Sequence, residues 1–347
     1  MFFASDNTGP VHPDIMAALS AANTGYASGY GADALMTEVR DRIRTVFEAP
    51  EAAVYLVATG TAANSLALAT LSDPWSTVFC SPVAHIQEDE CNAPEFFSGG
   101  AKLTLVGDAD KMTPDTLRAT IAGEETRGVH GPQRGPVSIT NVTERGTVYS
   151  VSEVAALCAV AKEFGLPVHM DGARFANALV STNATPAEMT WRAGVDALSF
   201  GGTKNGCMGV EAVVFFDPKH AWEFELRRKR GAHLFSKHRY LSAQMAAYVT
   251  DDLWLRLARM ANDAAARLTA GLQEAGAQFQ WTPQANMIFP AFPRREHQAL
   301  HAAGAQYYVW EGELDGADPE ELLTARLVCD WSVDEASIGR FLEVLAS

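Results

Sequence analysis

Four side chains and one turn in this sequence have the makings of a reaction centre. The stretch PVHMDGARFANAL carries an apolar, strand-like run into Asp171, with a glycine next and Arg174 three residues after the acid. A carboxylate buried at a strand end is costly unless it meets a cation or strong donors. Arg174 is the simplest partner, but a short turn into a helix often points such a pair in different directions. Elsewhere GGTKNG sets Lys204 among glycines, and SPVAHIQEDE places His85 just past another apolar run. TGTAAN offers Gly60 for a tight turn and Thr61 at a helix start, where free N–H groups can hold an anion. Taken singly, each has an ordinary reading: Asp171 as a helix cap, Arg174 as an ion-pairing residue, Lys204 as a solvated amine, His85 as a hydrogen-bonded loop residue.

The elements that must position these groups alternate between about residues 34 and 216. ALMTEVRDRIRTVFE has helical apolar spacing, AVYLVAT is a short apolar run, TAANSLALATL is helical again, and STVFC and AKLTLV read as strands. Helix PDTLRATIA, strand PVSIT, helix VSEVAALCAVAKEF and strands LPVHM, VDALSF and EAVVFF follow. This order predicts an α/β fold, a mainly parallel sheet sandwiched by helices. Beyond residue 219 the pattern is helical through about 275, and the remainder mixes strands with helices, the last beginning at Ser332 with Glu335 closing a capping box. The expected division is a large domain over 1–244, its first ~14 residues an arm near the site, and a small α+β domain over 245–347.

Open parallel sheets place ligands at the carboxyl ends of their strands. Gly60 and Thr61 follow VYLVA, His85 follows VFC, Asp171 and Arg174 follow VHM, and Lys204 follows LSF, so all converge on one edge. Coincidence of the whole set is far rarer than that of any member. Asp171 facing a protonated heteroaromatic nitrogen, Arg174 facing a substrate carboxylate, Lys204 holding an aldehyde as a Schiff base and the TGT turn holding a phosphate together describe pyridoxal 5′-phosphate.

Composition narrows the alternatives. The 347 residues are 48% hydrophobic and 20% charged, a globular balance, and the formal charge of −15 repels phosphate backbones, which argues against nucleic acid. No uncharged apolar run reaches membrane-spanning length, and the start has no basic segment followed by an apolar one. Five scattered cysteines without a Cys-x-x-Cys pair suit a reducing cytoplasm and are expected to be packing residues. His297 and His301 stand four apart in HQALHAAG, yet no acidic ligand has the right spacing, so a solvated helix face is expected there and no metal. ELRRKRG reads as a solvated helix end. A nucleotide module built on TGTAAN is disfavoured because both a Walker lysine and G-x-G-x-x-G are missing.

On SDNTGPVHPDIMAAL, GYASGYGAD, ATGTAANSLAL, HIQEDE, HMDGARFANAL, SFGGTKNG and ARLVCDW, which span nearly the whole length, the sequence resembles the L-threonine aldolase family of fold type I pyridoxal-phosphate enzymes. The resemblance implies that Lys204 is the Schiff-base lysine, Asp171 the pyridinium partner and His85 the ring stacked on the cofactor, with Gly60 and Thr61 at the phosphate and Thr203 nearby. It implies that Ser5, Arg174 and Arg326 hold the amino-acid carboxylate, that His130 is a second active-site histidine, and that Tyr30 lies near a neighbouring subunit's site in a homotetramer built from dimers. TNVTERG stands where many members carry ENTHN, and RGAHLFSKHRY replaces a glycine-rich stretch; the latter resembles the low-specificity, phenylserine-accepting branch.

The expected activity is reversible cleavage of L-threonine or L-allo-threonine to glycine and acetaldehyde, with tolerance for aromatic analogues. His85 is the first candidate for the base that takes the hydroxyl proton and His130 the second. A phenylserine-preferring aldolase, and an aminotransferase or β-eliminating lyase of the same superfamily, are the rival readings.

Overall fold

The computed structural model describes residues 1–347. Seven strands form the large sheet: β1 (Ala53–Val57), β2 (Ser76–Cys80), β3 (Lys102–Leu105), β4 (Gln133–Thr140), β5 (Val168–Gly172), β6 (Ala197–Gly201) and β7 (Glu211–Phe215). Their spatial order is β1-β7-β6-β5-β4-β2-β3. Pairs β2/β3, β2/β4, β4/β5 and β5/β6 are parallel, and β7 runs antiparallel to both neighbours. The mainly parallel sheet expected from the alternating pattern is therefore present. Strands such as AVYLV are buried throughout because helices cover both faces, which explains continuous apolar runs in place of alternation.

Local sequence fixes the helices beside the sheet. Helix α1 covers Pro13–Ala22, α2 covers Ala34–Val46 and α3 covers Gly60–Leu71. Asp33 caps α2 by accepting from Met36 N, and Thr59 caps α3 by accepting from Ala62 N, each closing one free donor of a first turn. Ser150 and Glu153 form a reciprocal capping box on the helix Val151–Glu163. At the far end the cap is Asp334, whose side chain accepts from Ser337 N, so the last helix begins at Glu335 and not at Ser332.

A second sheet of short antiparallel strands follows: β8 (Gln278–Phe279), β9 (Met287–Ile288), β10 (Pro290–Pro293), β11 (Tyr308–Glu311) and β12 (Leu322–Val328). The helix Leu253–Glu274 gives Trp254 and Leu257 to the large core and Leu268 and Leu272 to the smaller one. The N-terminal arm joins that smaller core through Phe3, which is fully buried. No helix is long and apolar enough to cross a membrane.

Two expectations about the surface are corrected here. His297 is fully buried, stacked on Phe292 at 3.8 Å and hydrogen-bonded to the Leu323 carbonyl and the Tyr307 hydroxyl, because its helix face packs on β10 and β12. Arg228 of ELRRKRG is 2% exposed, reaching the Leu56 carbonyl and Glu225. Of the cysteines, Cys91 alone is exposed.

The site edge of the sheet is tightly closed at Gly201, the last residue of β6. A Cβ added there would meet the Ala173 carbonyl oxygen at 2.2 Å, so the turns after β5 and β6 can approach only because this position lacks a side chain. Gly201→Ala is expected to destabilise the fold by about 1–3 kcal/mol. The urea unfolding midpoint reads this, and an unchanged midpoint would refute the close-approach role.

Candidate active site

Asp171, Lys204, Thr203, Gly60, Thr61 and His85 line one cavity of about 270 Å³, together with Asn64, Glu90 and Glu211. The placement follows from topology. β1, β5 and β6 end on this edge, and antiparallel β7 begins on it. A wider groove of about 910 Å³ lies around the starts of β5 and β6, lined by residues such as Trp191 and Arg192, and none of the candidate groups reaches it.

Asp171 is 2% exposed. Asn64 Nδ2 donates to its Oδ2 at 3.0 Å and Ala173 N to its Oδ1 at 3.0 Å. Arg174 turns away, as the tight turn suggested, so Asp171 is satisfied by neutral donors and forms no salt bridge. Asn64 also donates to Glu90 Oε1 at 2.8 Å, and the same oxygen lies 2.8 Å from His85 Nδ1. Because a carboxylate oxygen accepts, Nδ1 carries the hydrogen, and Nε2 is the free nitrogen of the neutral ring. His85, Glu90 and Asp171 bring possible ligand atoms within 4.8 Å of one another, but an Asn64 N–H points at both carboxylates where a cation would sit.

Burial lowers the His85 pKa, but the Glu90 hydrogen bond and the charges of Asp171 and Glu144 outweigh it and hold the imidazolium above its ordinary range. The Glu211 pKa is raised as well, but here by burial, which favours the neutral form: its carboxyl is pushed up to about 7, against donors at Thr203 and Gly202 and the Lys204 charge.

The phosphate-type turn has the features such a turn requires. Gly60 and Thr61 start a twelve-residue helix, so their N–H groups lie in its unsatisfied first turn, and nothing lies within 4 Å of where a Gly60 Cβ would be. An anion could come directly against this backbone.

Arg174 is 3% exposed and its Nε and Nη2 grip Asp6 at 2.6 and 3.0 Å, with Glu144 3.9 Å from Nη1. The fork on the Nε side is thus already filled, and only the Nη1 side is left for an incoming carboxylate. Arg326 on β12 donates to the Ala4 carbonyl at 3.2 Å, beside Ser5. Burial and the neighbouring Arg174 charge lower the Arg326 pKa, so an added carboxylate would relieve repulsion between the two guanidiniums.

His130 and Tyr30 are not brought to this cavity. His130 is exposed and precedes β4, an eight-residue strand whose other end faces the site, a separation on the order of 25 Å. His130 therefore does not join the cavity of its own chain. Tyr30 is 55% exposed, at φ 57°, with Lys229 Nζ 5.1 Å above its ring. Residues that sequence reasoning passed over are Asp6, Asn64, Glu90, Glu144 and Glu211. Asn64 and Glu90 stood inside the quoted TGTAAN and HIQEDE, and Glu211 is a lone acid heading an apolar strand run.

Comparison with known proteins adds the following. The family model described as Beta-eliminating lyase matches residues 3–292. The chain is 40% identical over 338 residues to the low specificity L-threonine aldolase of Pseudomonas sp. (strain NCIMB 10558), covering 97% of this chain and 94% of that protein. It is 41% identical over 335 residues to the low specificity L-threonine aldolase of Pseudomonas aeruginosa, covering 96% and 93%. In three dimensions it matches the Leishmania major threonine aldolase with a TM-score of 0.91 at 28% identity, covering 99% of this chain and 98% of that one.

The His85 environment makes a direct prediction. Glu90→Gln removes the acceptor charge from Nδ1, so the His85 ring should titrate at lower pH than in the parent, read by ring resonances in NMR. An unmoved titration would remove Glu90 as the cause.

Proposed function

Because the chain belongs to the Beta-eliminating lyase family, we propose that it is a pyridoxal 5′-phosphate-dependent aldehyde-lyase that cleaves L-threonine and L-allo-threonine reversibly to glycine and acetaldehyde and accepts phenylserine-type β-hydroxy amino acids. The observation that carries this reading is the single cavity shared by Lys204, the buried Asp171 with neutral donors only, and the Gly60–Thr61 turn. These residues fit the cofactor: Asp171 offers an anion to a ring N–H, the start of α3 offers free N–H groups to a phosphate, and Lys204 offers an amine to an aldehyde. When bound, the cofactor supplies an electron sink for the pair released from the Cα–Cβ bond.

The chain's own residues supply the rest. Asp171 would keep a proton on the ring nitrogen of a bound cofactor, since a buried carboxylate hydrogen-bonded only by neutral donors favours that charge strongly. Arg174, fixed by Asp6, and Arg326, fixed by the Ala4 carbonyl, hold the substrate carboxylate and so set rotation about Cα. His85 Nε2 takes the β-hydroxyl proton while Glu90 holds the ring through Nδ1–H, and the raised proton affinity of the ring favours that uptake. Loss of the hydroxyl proton with cleavage of the Cα–Cβ bond yields the aldehyde, and a proton returned to Cα completes glycine; Lys204 would hold the cofactor's aldehyde between turnovers.

His130 and Tyr30 are exposed and away from their own cavity, which supports a role for both in a neighbouring copy's site within a homotetramer. A cytoplasmic setting is supported by five thiols with no disulfide among them.

The test is release of glycine and aldehyde from L-allo-threonine, L-threonine and L-phenylserine by the cofactor-loaded protein, with Lys204→Ala as control. Release that falls at least ~10³-fold in the control is expected. A keto acid without aldehyde would contradict the aldolase reading.

A further inference from the structure

Glu211 opens β7 and is the one charged residue in a strand otherwise made of Ala, Val, Val and Phe. Its register partners are Val57 at the end of β1 and Gly201 at the end of β6. It therefore sits between the turn leading to Gly60 and the turn carrying Lys204, 7% exposed, on the wall of the same cavity. Gly202 donates its N–H to Oε2 at 2.7 Å, and the Thr203 hydroxyl is a second donor. Both donors are neutral and a glutamine oxygen would accept from either, so the tether alone does not call for an acid. The cation that acts on this carboxyl is Lys204.

The other acids near Lys204 are already engaged. Asp6 is gripped by the Arg174 fork, and Asp171 is directed at Asn64 and Ala173 N. Resting on the role given to Lys204 above, we propose that Glu211 is the positioning residue for Lys204: its carboxylate ties down the Gly202–Thr203 turn that carries the lysine and supplies the counter-charge to the amine from the wall of the same cavity.

Burial brings this carboxyl up to about 7, so the counter-charge it offers to Lys204 changes near neutral pH, which that of an ordinary glutamate does not. The titratable groups facing Glu211 from packed elements are Lys204 on the turn after β6, Cys207 just beyond it, and Tyr248 on the helix Arg239–Tyr248. Burial pushes the thiol and the phenol far up, so both stay neutral and Lys204 is the one of the three that acts on Glu211 as a charge.

Two spectroscopic titrations test this. With pyridoxal 5′-phosphate loaded, the visible absorbance is followed against pH; Glu211→Gln should move its midpoint to lower pH by about 1 unit or more, because the protonated linkage loses a neighbouring anion. In the cofactor-free protein, infrared spectroscopy should find a protonated carboxyl band that vanishes as pH rises through about 7, and Lys204→Ala should move that transition to higher pH. The infrared measurement needs only the parent and Lys204→Ala, so it stands even where Glu211→Gln fails to fold. An unmoved absorbance midpoint in folded Glu211→Gln, or an unmoved carboxyl transition in Lys204→Ala, would overturn the pairing. A parent protein that takes up no cofactor and shows no visible band would instead sink the functional reading, while the infrared comparison would still decide the pairing.

Discussion

Asp171 is a carboxylate with 2% exposure whose hydrogen bonds come from Asn64 and Ala173 N, both neutral. Holding such a charge away from water is expensive unless a cation completes it. No cationic side chain of the protein hydrogen-bonds it. The turn after β5 sends Arg174 to Asp6 instead, and Asn64 is shared between Asp171 and Glu90, which carries the arrangement on to His85. On the proposed reading the site is preorganised for a positively charged ring nitrogen, and His85, the proposed base, is oriented through the same hydrogen-bond chain.

The same logic runs through the substrate end. Arg174 and Arg326 lie close enough that one lowers the pKa of the other, and Asp6 and Glu144 only partly offset the repulsion. The N-terminal arm carries Asp6, Ser5 and Ala4 to this place by docking Phe3 in the smaller core, so the placement of the two arginines depends on packing between the first residues and the last hundred.

Periodicity made the large sheet and its helices legible, because strands buried on both faces read as continuous apolar runs and the helices between them keep their caps at Thr59 and Ser150. The strand-end rule then brought Gly60, His85, Asp171 and Lys204 to one edge. What stayed hidden was long-range pairing. Nothing local in SDNTG tells that Asp6 will meet a residue 168 positions away. His297 looked solvated because one helical spacing cannot reveal that its face lies on Phe292 and the Leu323 carbonyl. His130 matches a site residue by family resemblance, and only strand direction shows that it lies at the far end of β4 from its own chain's cavity. The antiparallel sense of β7, which turns Glu211 toward the cavity, is also a matter of topology and leaves no mark in EAVVFF.

The central claim is that buried Asp171 holds a proton on the cofactor ring. Nitrogen-15 NMR of protein loaded with ring-labelled pyridoxal 5′-phosphate measures that proton directly. The account predicts a protonated ring nitrogen in the parent across neutral pH and an unprotonated one in Asp171→Asn. An unprotonated nitrogen in the parent, or one that stays protonated in Asp171→Asn, would contradict it.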